Sequence, residues 1–156
     1  MVPVRLTGYS SNFRFCSNQK HPPEVVIRRI LDREGYNLVM VVRRIKTHMA
    51  QTGYVYQYYF VGKRPALDGS AATEYVFDVT SDRKTTFAVS VFVREQGLAA
   101  WTSANGRSLT DTEQYATAKL RLLQGFDDHP DIFRQGRLLV VDETNIEALL
   151  EPLGLA

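Results

Sequence analysis

The stretch EYVFDVTSDRKTTFAVSVFV, residues 74–93, decides the fold because it predicts two strands joined by a short polar turn. Apolar residues alternate with small or polar ones on both sides of the turn residues 81–84. This period of two, interrupted by polar turn formers, is typical of a β-hairpin. The residues expected on its apolar face are Tyr75, Phe77, Val79, Phe87, Val89, Val91 and Val93.

A row of aromatic rings precedes the hairpin, in GYVYQYYFVGKRP at residues 53–65. Tyr54, Tyr56, Tyr58 and Phe60 share one side of a strand, which is either a core face or a surface that stacks on a ligand. The other side is nearly as apolar, which favours the core. Trp101, in GLAAWTS, follows an apparent small-residue turn and is expected to plug the sheet edge rather than anchor a partner. The candidate stacking or interface residues are Tyr54, Tyr56, Tyr58 and Trp101.

Two further elements are predicted before the aromatic strand, and a loop after it. HPPEVVIRRILDREGY, residues 21–36, has prolines that suit a first helical turn and a glycine that suits a C-terminal stop, so it predicts a helix. NLVMVVRRIK, residues 37–46, is rich in β-branched residues and predicts a strand. KRPALDGSAAT, residues 63–73, has the proline and glycine punctuation of a loop.

The C-terminal part of the chain predicts two more helices and a strand. Thr110–Glu113 matches a capping box, and the helix it opens is expected to run to about Gln124 and stop at Gly125. GRLLVVDE, residues 136–143, predicts a strand. Thr144–Glu147 repeats the capping box and opens a terminal helix that Pro152 ends.

The order of these elements predicts an α+β fold. Strands in a run, with helices set apart, favour a largely antiparallel sheet of about five strands with three helices packed on it. A chain of 156 residues, 44% hydrophobic and 23% charged, is expected to form a single domain over residues 1–156. It has no apolar run near the roughly 20 residues that span a bilayer, no signal-peptide pattern, and a single cysteine, Cys16. These features predict a cytoplasmic protein with no membrane association.

Charge is divided along the chain. Residues 1–64 hold 11 Lys/Arg and 3 Asp/Glu, a net charge of +8, whereas residues 65–156 hold 8 and 14, a net charge of −6. Such asymmetry indicates either a site for an acidic partner or two halves whose charges meet in the folded molecule. The candidate partner-binding residues are Arg28, Arg29, Arg33, Arg43, Arg44, Lys46, Lys63 and Arg64.

Patterns typical of catalysis are few. The sequence contains no GxxxxGK[ST], GxGxxG or GxSxG motif, and His21, His48 and His129 lack the spacing of metal ligands. We therefore predict no catalytic residue, no metal site and no cofactor. The remaining acidic candidates are Asp78, within a predicted strand, and the cluster Asp127–Asp131. Asp78 is expected to face water or, if buried, to pair with Arg43 or Arg44.

These observations favour a non-enzymatic binding or interaction module that engages an acidic protein partner or a second copy of itself. Self-association is expected because an open sheet ends in edges. One alternative is a nucleic-acid-binding protein that uses the N-terminal arginines and the tyrosine-rich strand. Another is a small metal-dependent hydrolase that uses Asp78 and the Asp127–Asp131 cluster.

Overall fold

The computed structural model describes the backbone of residues 25–32 and 35–42, and residues 44–155 in full. Two strands form a separate antiparallel hairpin, and five form a sheet of order β3-β4-β5-β6-β7. The hairpin strands are β1 (Val25–Asp32) and β2 (Gly35–Val42). The sheet strands are β3 (Lys46–Met49), β4 (Val55–Pro65), β5 (Ala72–Thr80), β6 (Phe87–Arg94) and β7 (Leu138–Val141).

Helices follow the strands β3 to β6 and cover one face of the sheet. They are α1 (Glu95–Asn105), α2 (Asp111–Asp128), α3 (Ile132–Gln135) and α4 (Ile146–Leu150), and a single 3-10 turn (Glu151–Leu153) follows α4. All strand pairs are antiparallel except β6 with β7, whose parallel pairing requires the long helical connection between them. The predicted α+β fold with a largely antiparallel sheet is therefore confirmed. Within the described part of the chain, no helix has both the length and the apolar composition needed to cross a membrane.

The predicted hairpin is the centre of the sheet, as β5 and β6. Its strands pair from Ala72 opposite Arg94 to Val79 opposite Phe87. In the turn, the Asp82 carboxylate accepts hydrogen bonds from the backbone N–H groups of Lys84 and Thr85, which lower its pKa to about 2. The apolar face predicted from the period of two is buried beneath the helices. Both the strands and their orientation are thus confirmed.

The helix α2 begins where the capping box predicts. The Thr110 hydroxyl accepts from the Glu113 N–H, and the Glu113 carboxylate accepts from the Thr110 N–H. The predicted stop at Gly125 is wrong, because α2 continues to Asp128. A β-carbon at Gly125 would lie 2.6 Å from Leu139 Cδ1, so this glycine permits close packing of α2 on β7.

The helix predicted within residues 21–36 is wrong, because Val25–Asp32 is the strand β1. It pairs with β2 from Val25 opposite Val42 to Asp32 opposite Gly35, so the glycine begins a returning strand instead of ending a helix. The β-branched residues of VVIRRIL favour this pairing. The strand predicted over residues 37–46 is divided into β2 and β3.

Two other local predictions are wrong. GLAAWTS is not a turn but part of α1. The second capping box does not form, since α4 begins at Ile146 and its N-cap, Asn145, makes no side-chain capping bond. The Thr144 hydroxyl donates to Asp142 and the Asn145 amide donates to the Val140 carbonyl, so local contacts with the end of β7 take both side chains.

Candidate functional site

The helix α2 lies along β4 and runs in the opposite direction. At its start, Asp111 Oδ2 is 3.0 Å from Lys63 Nζ, near the end of β4. One turn later the Tyr115 and Phe60 rings lie 5.0 Å apart, centre to centre. Near the end of α2, Phe126 stacks on Tyr56 at 4.4 Å with the ring planes 8° apart. The side of β4 that carries the aromatic row is therefore the side that α2 covers.

The core interpretation of the aromatic row is confirmed for Tyr56 and Tyr58, which are 2% and 4% exposed. Burial raises the pKa of both phenols. Tyr54 lies outside the core and is 55% exposed. Trp101 is buried in the core, with the Arg107 guanidinium 5.0 Å from its ring centre. Of the four candidate contact residues, only Tyr54 therefore presents most of its ring to solvent.

Two of the predicted basic residues meet acidic partners from the C-terminal half of the chain. The Lys63–Asp111 hydrogen bond raises the pKa of Lys63. Arg64 Nε donates to Glu74 Oε2 at 2.6 Å, and the Ser90 hydroxyl donates to the other oxygen of the same carboxylate. The Glu74 side chain is buried, and the Arg64 hydrogen bond is the main reason that its pKa lies below the ordinary value of 4.5. At these two positions, charges of the two halves meet within the folded molecule.

The ion pair between Glu74 and Arg64 predicts that the folded protein becomes less stable in acid. Because the folded pKa is depressed, its contribution is complete above about pH 4.5 and is lost as the pH falls through the lowered folded value. We expect Glu74→Gln to lower the free energy of unfolding at pH 7 by about 1–3 kcal/mol and to flatten its acid dependence. Thermal melts from pH 7 to pH 3 measure both effects. An unchanged acid slope in the variant would contradict this role for Glu74.

Other basic side chains collect where α2 passes over β3. His48 of β3 stacks on Phe126 at 5.8 Å, and the Gln51 N–H donates to Asp127 Oδ1 at 2.8 Å, so the end of α2 is fixed to the end of β3. Lys46 lies two residues before His48, on the same side of β3, opposite Tyr58. Lys119 lies seven residues before Phe126, on the same side of α2.

Lys46 and Lys119 are neighbours at this crossing, close enough for the charge of Lys46 to act on Lys119. Burial and the neighbouring Lys46 both lower the pKa of Lys119. Among the described residues, no carboxylate lies within ion-pair distance of either ammonium. Arg44 is exposed two residues before Lys46. We call Arg44, Lys46 and Lys119 the cationic edge.

Lys119 was not among the residues predicted from the sequence to bind a partner. The sequence nevertheless shows that Lys119 lies on the apolar side of the helix, because it follows Tyr115 by four residues on the side that carries Leu122 and Phe126. A lysine beside an apolar stripe is either extended toward water or placed to meet a charge. Only the crossing of α2 over β3 reveals that another lysine is its neighbour.

The remaining candidates from the basic half are only partly described. Arg28 and Arg29 belong to β1, for which the structure gives the backbone path. Arg33, Arg43, His21 and Cys16 lie outside the described residues. The predicted use of these residues in partner binding stays a prediction.

The acidic candidates do not come together. Asp78 accepts a hydrogen bond from the Tyr59 hydroxyl, directly across the β4–β5 pair. Phe77 and Val79 face the helices, so Asp78 lies on the opposite face of the sheet from Asp127. Among the residues for which the structure gives side chains, no group of three or more His, Cys, Asp or Glu residues is arranged to hold a metal ion.

Comparisons with models of known protein families, with curated proteins and with solved structures found no match.

Proposed function

We propose that this protein is a non-enzymatic binding module that holds an acidic segment of a partner protein at the cationic edge. The observation that supports it is the proximity of Lys46 to Lys119, with no carboxylate of the described chain within ion-pair distance of either ammonium. Like charges a few ångströms apart repel each other by about 1 kcal/mol in water, and the repulsion increases where the surrounding protein excludes water. A partner carboxylate placed between the two ammonium groups adds two attractions that offset this repulsion.

The contrast with the neighbouring cations supports the same assignment. Lys63 and Arg64 each have a carboxylate from within the chain, and the carboxylates stabilise the contact between β4 and its neighbours. Among the described residues, neither Lys46 nor Lys119 has a carboxylate partner, although both lie on the same crossing of α2 over the sheet.

The alternative functions have less support. A stacking platform for nucleic acid needs exposed rings, and Tyr56 and Tyr58 are packed under α2. The hydrolase hypothesis needs converging acids, and the sheet separates Asp78 from Asp127. Binding of an acidic protein segment requires only the positive charges that the cationic edge provides.

The variant Lys119→Met tests the proposal through two opposite effects. Removing one ammonium relieves the repulsion, so we expect a higher melting temperature at pH 7 in the absence of a partner. The same variant is expected to bind a glutamate-rich peptide about three- to tenfold more weakly, the range of one partly exposed ion pair. Differential scanning calorimetry measures the first effect, and fluorescence anisotropy at low salt measures the second.

Lys84→Met is the matched control, because it removes the same charge from the exposed turn between β5 and β6. It is expected to leave peptide binding unchanged. The proposal fails if the wild-type protein does not bind the acidic peptide, or if Lys84→Met weakens binding as much as Lys119→Met does. The second result would mean that net charge alone, and no particular site, attracts the peptide.

A further inference from the structure

Half of β4 has an open edge next to the cationic edge. On one side, β4 pairs with β5 along its length as far as Pro65, opposite Thr73. On the other side, β3 has only four residues and pairs only with Val55 to Tyr58. For residues 60–65, no strand of the described chain pairs with β4 on that side. An open strand edge offers backbone N–H and C=O groups to an incoming strand.

We propose that the acidic partner segment binds as an added β-strand along residues 60–64 of β4, with its acidic side chains directed to Lys46 and Lys119. The inference rests on the proposed function and adds the geometry of docking. Strand addition supplies backbone hydrogen bonds, and alternate side chains of the added strand face the same side. A strand beside Phe60 lies about two residues, or about 7 Å, from the position of Lys46, within the joint reach of glutamate and lysine side chains.

The open edge of β4 favours a short partner segment. The pairing of β4 with β5 shifts between Phe60 and Gly62, which marks a β-bulge, and Pro65 ends the strand without a backbone donor. A bulge and a proline both hinder the non-specific addition of other strands along an edge. At the bulge itself, Phe60 and Val61 are 36% and 37% exposed, so their side chains offer an apolar contact for the added strand.

The segments that could pair with the open edge of β4 differ in charge. Residues 1–24 of the chain carry Arg5, Arg14 and Lys20 against a single acid, Glu24, so they match the cationic edge poorly. A second copy that paired β4 with β4 would bring two cationic edges together. An acidic segment from another protein is the occupant whose charge is complementary.

The test uses a ten-residue peptide of alternating valine and glutamate, together with two versions of it. Each version is methylated on alternate backbone nitrogens, one on the valines and the other on the glutamates. The two versions have the same charge, the same side chains and the same number of methyl groups. In an added strand, however, either the valine N–H groups or the glutamate N–H groups point toward β4, and the other set points away. We expect one methylated peptide to bind the wild-type protein at least tenfold more weakly than the other. We also expect the unmodified peptide to slow amide hydrogen exchange within residues 60–64.

The outcomes separate the two proposals. If the methylated peptides bind equally and exchange within residues 60–64 is unchanged, strand addition is wrong. In that case a loss of binding in Lys119→Met would still support the cationic edge as the site. If the unmodified peptide does not bind at all, the proposed function and this inference both fail.

Discussion

Replacing Phe126 with alanine is expected to lower the free energy of unfolding by about 3–5 kcal/mol. The Phe126 side chain is fully buried, stacks on Tyr56, and also contacts the rings of Tyr58 and His48. Its removal leaves a cavity where α2 packs on β3 and β4, and the stacked rings on both sides limit how far the site can collapse. Urea denaturation, followed by far-ultraviolet circular dichroism, measures the change.

Phe133→Ala is the control for this prediction. Phe133 is 45% exposed and makes an edge contact with Phe87 at 5.1 Å. Its truncation is expected to lower the free energy of unfolding by about 1 kcal/mol or less, because nearly half of the side chain is already exposed to water. Equal effects of the two truncations would contradict the placement of the aromatic strand under α2.

Replacing Gly97 with alanine is expected to lower the free energy of unfolding by about 1–3 kcal/mol. A β-carbon at Gly97 would lie 2.8 Å from the backbone carbonyl carbon of Asp142 and 3.0 Å from its Cα. Backbone atoms cannot turn aside, so α1 must move away from the segment that follows β7. This loss exceeds the gain of about 1 kcal/mol that alanine normally brings to a helix.

Gly125→Ala provides the comparison, because a β-carbon there would meet a side chain instead of a backbone. The nearest atom is Leu139 Cδ1, the flexible end of a leucine, and rotation of that side chain relieves part of the clash. We expect a smaller loss than for Gly97→Ala when both variants are compared with the wild type by thermal denaturation. A greater loss at Gly125 would show that the contact between α2 and β7 is less adaptable than that between α1 and the end of β7.

Several elements follow from local patterns alone. The alternation in residues 74–80 and 86–93 predicts the β5–β6 hairpin and its buried face, because the strand period itself assigns each side chain to a face. The start of α2 follows from Thr110 and Glu113, which satisfy each other's backbone groups within one turn. These predictions succeed because the atoms that decide them are neighbours in sequence.

Other features depended on partners distant in sequence. Residues 25–32 have helix signals at their ends and β-branched residues within, and pairing with β2 decides between them. Gly125 resembles a helix stop until Leu139 is seen against it. Tyr56 is inside because Phe126, 70 residues later, covers it, and Lys119 is a candidate binding residue because α2 carries it to Lys46. Sequence patterns specify backbone preference and the apolar side of an element, whereas the packing of one element on another decides which charges and rings become neighbours.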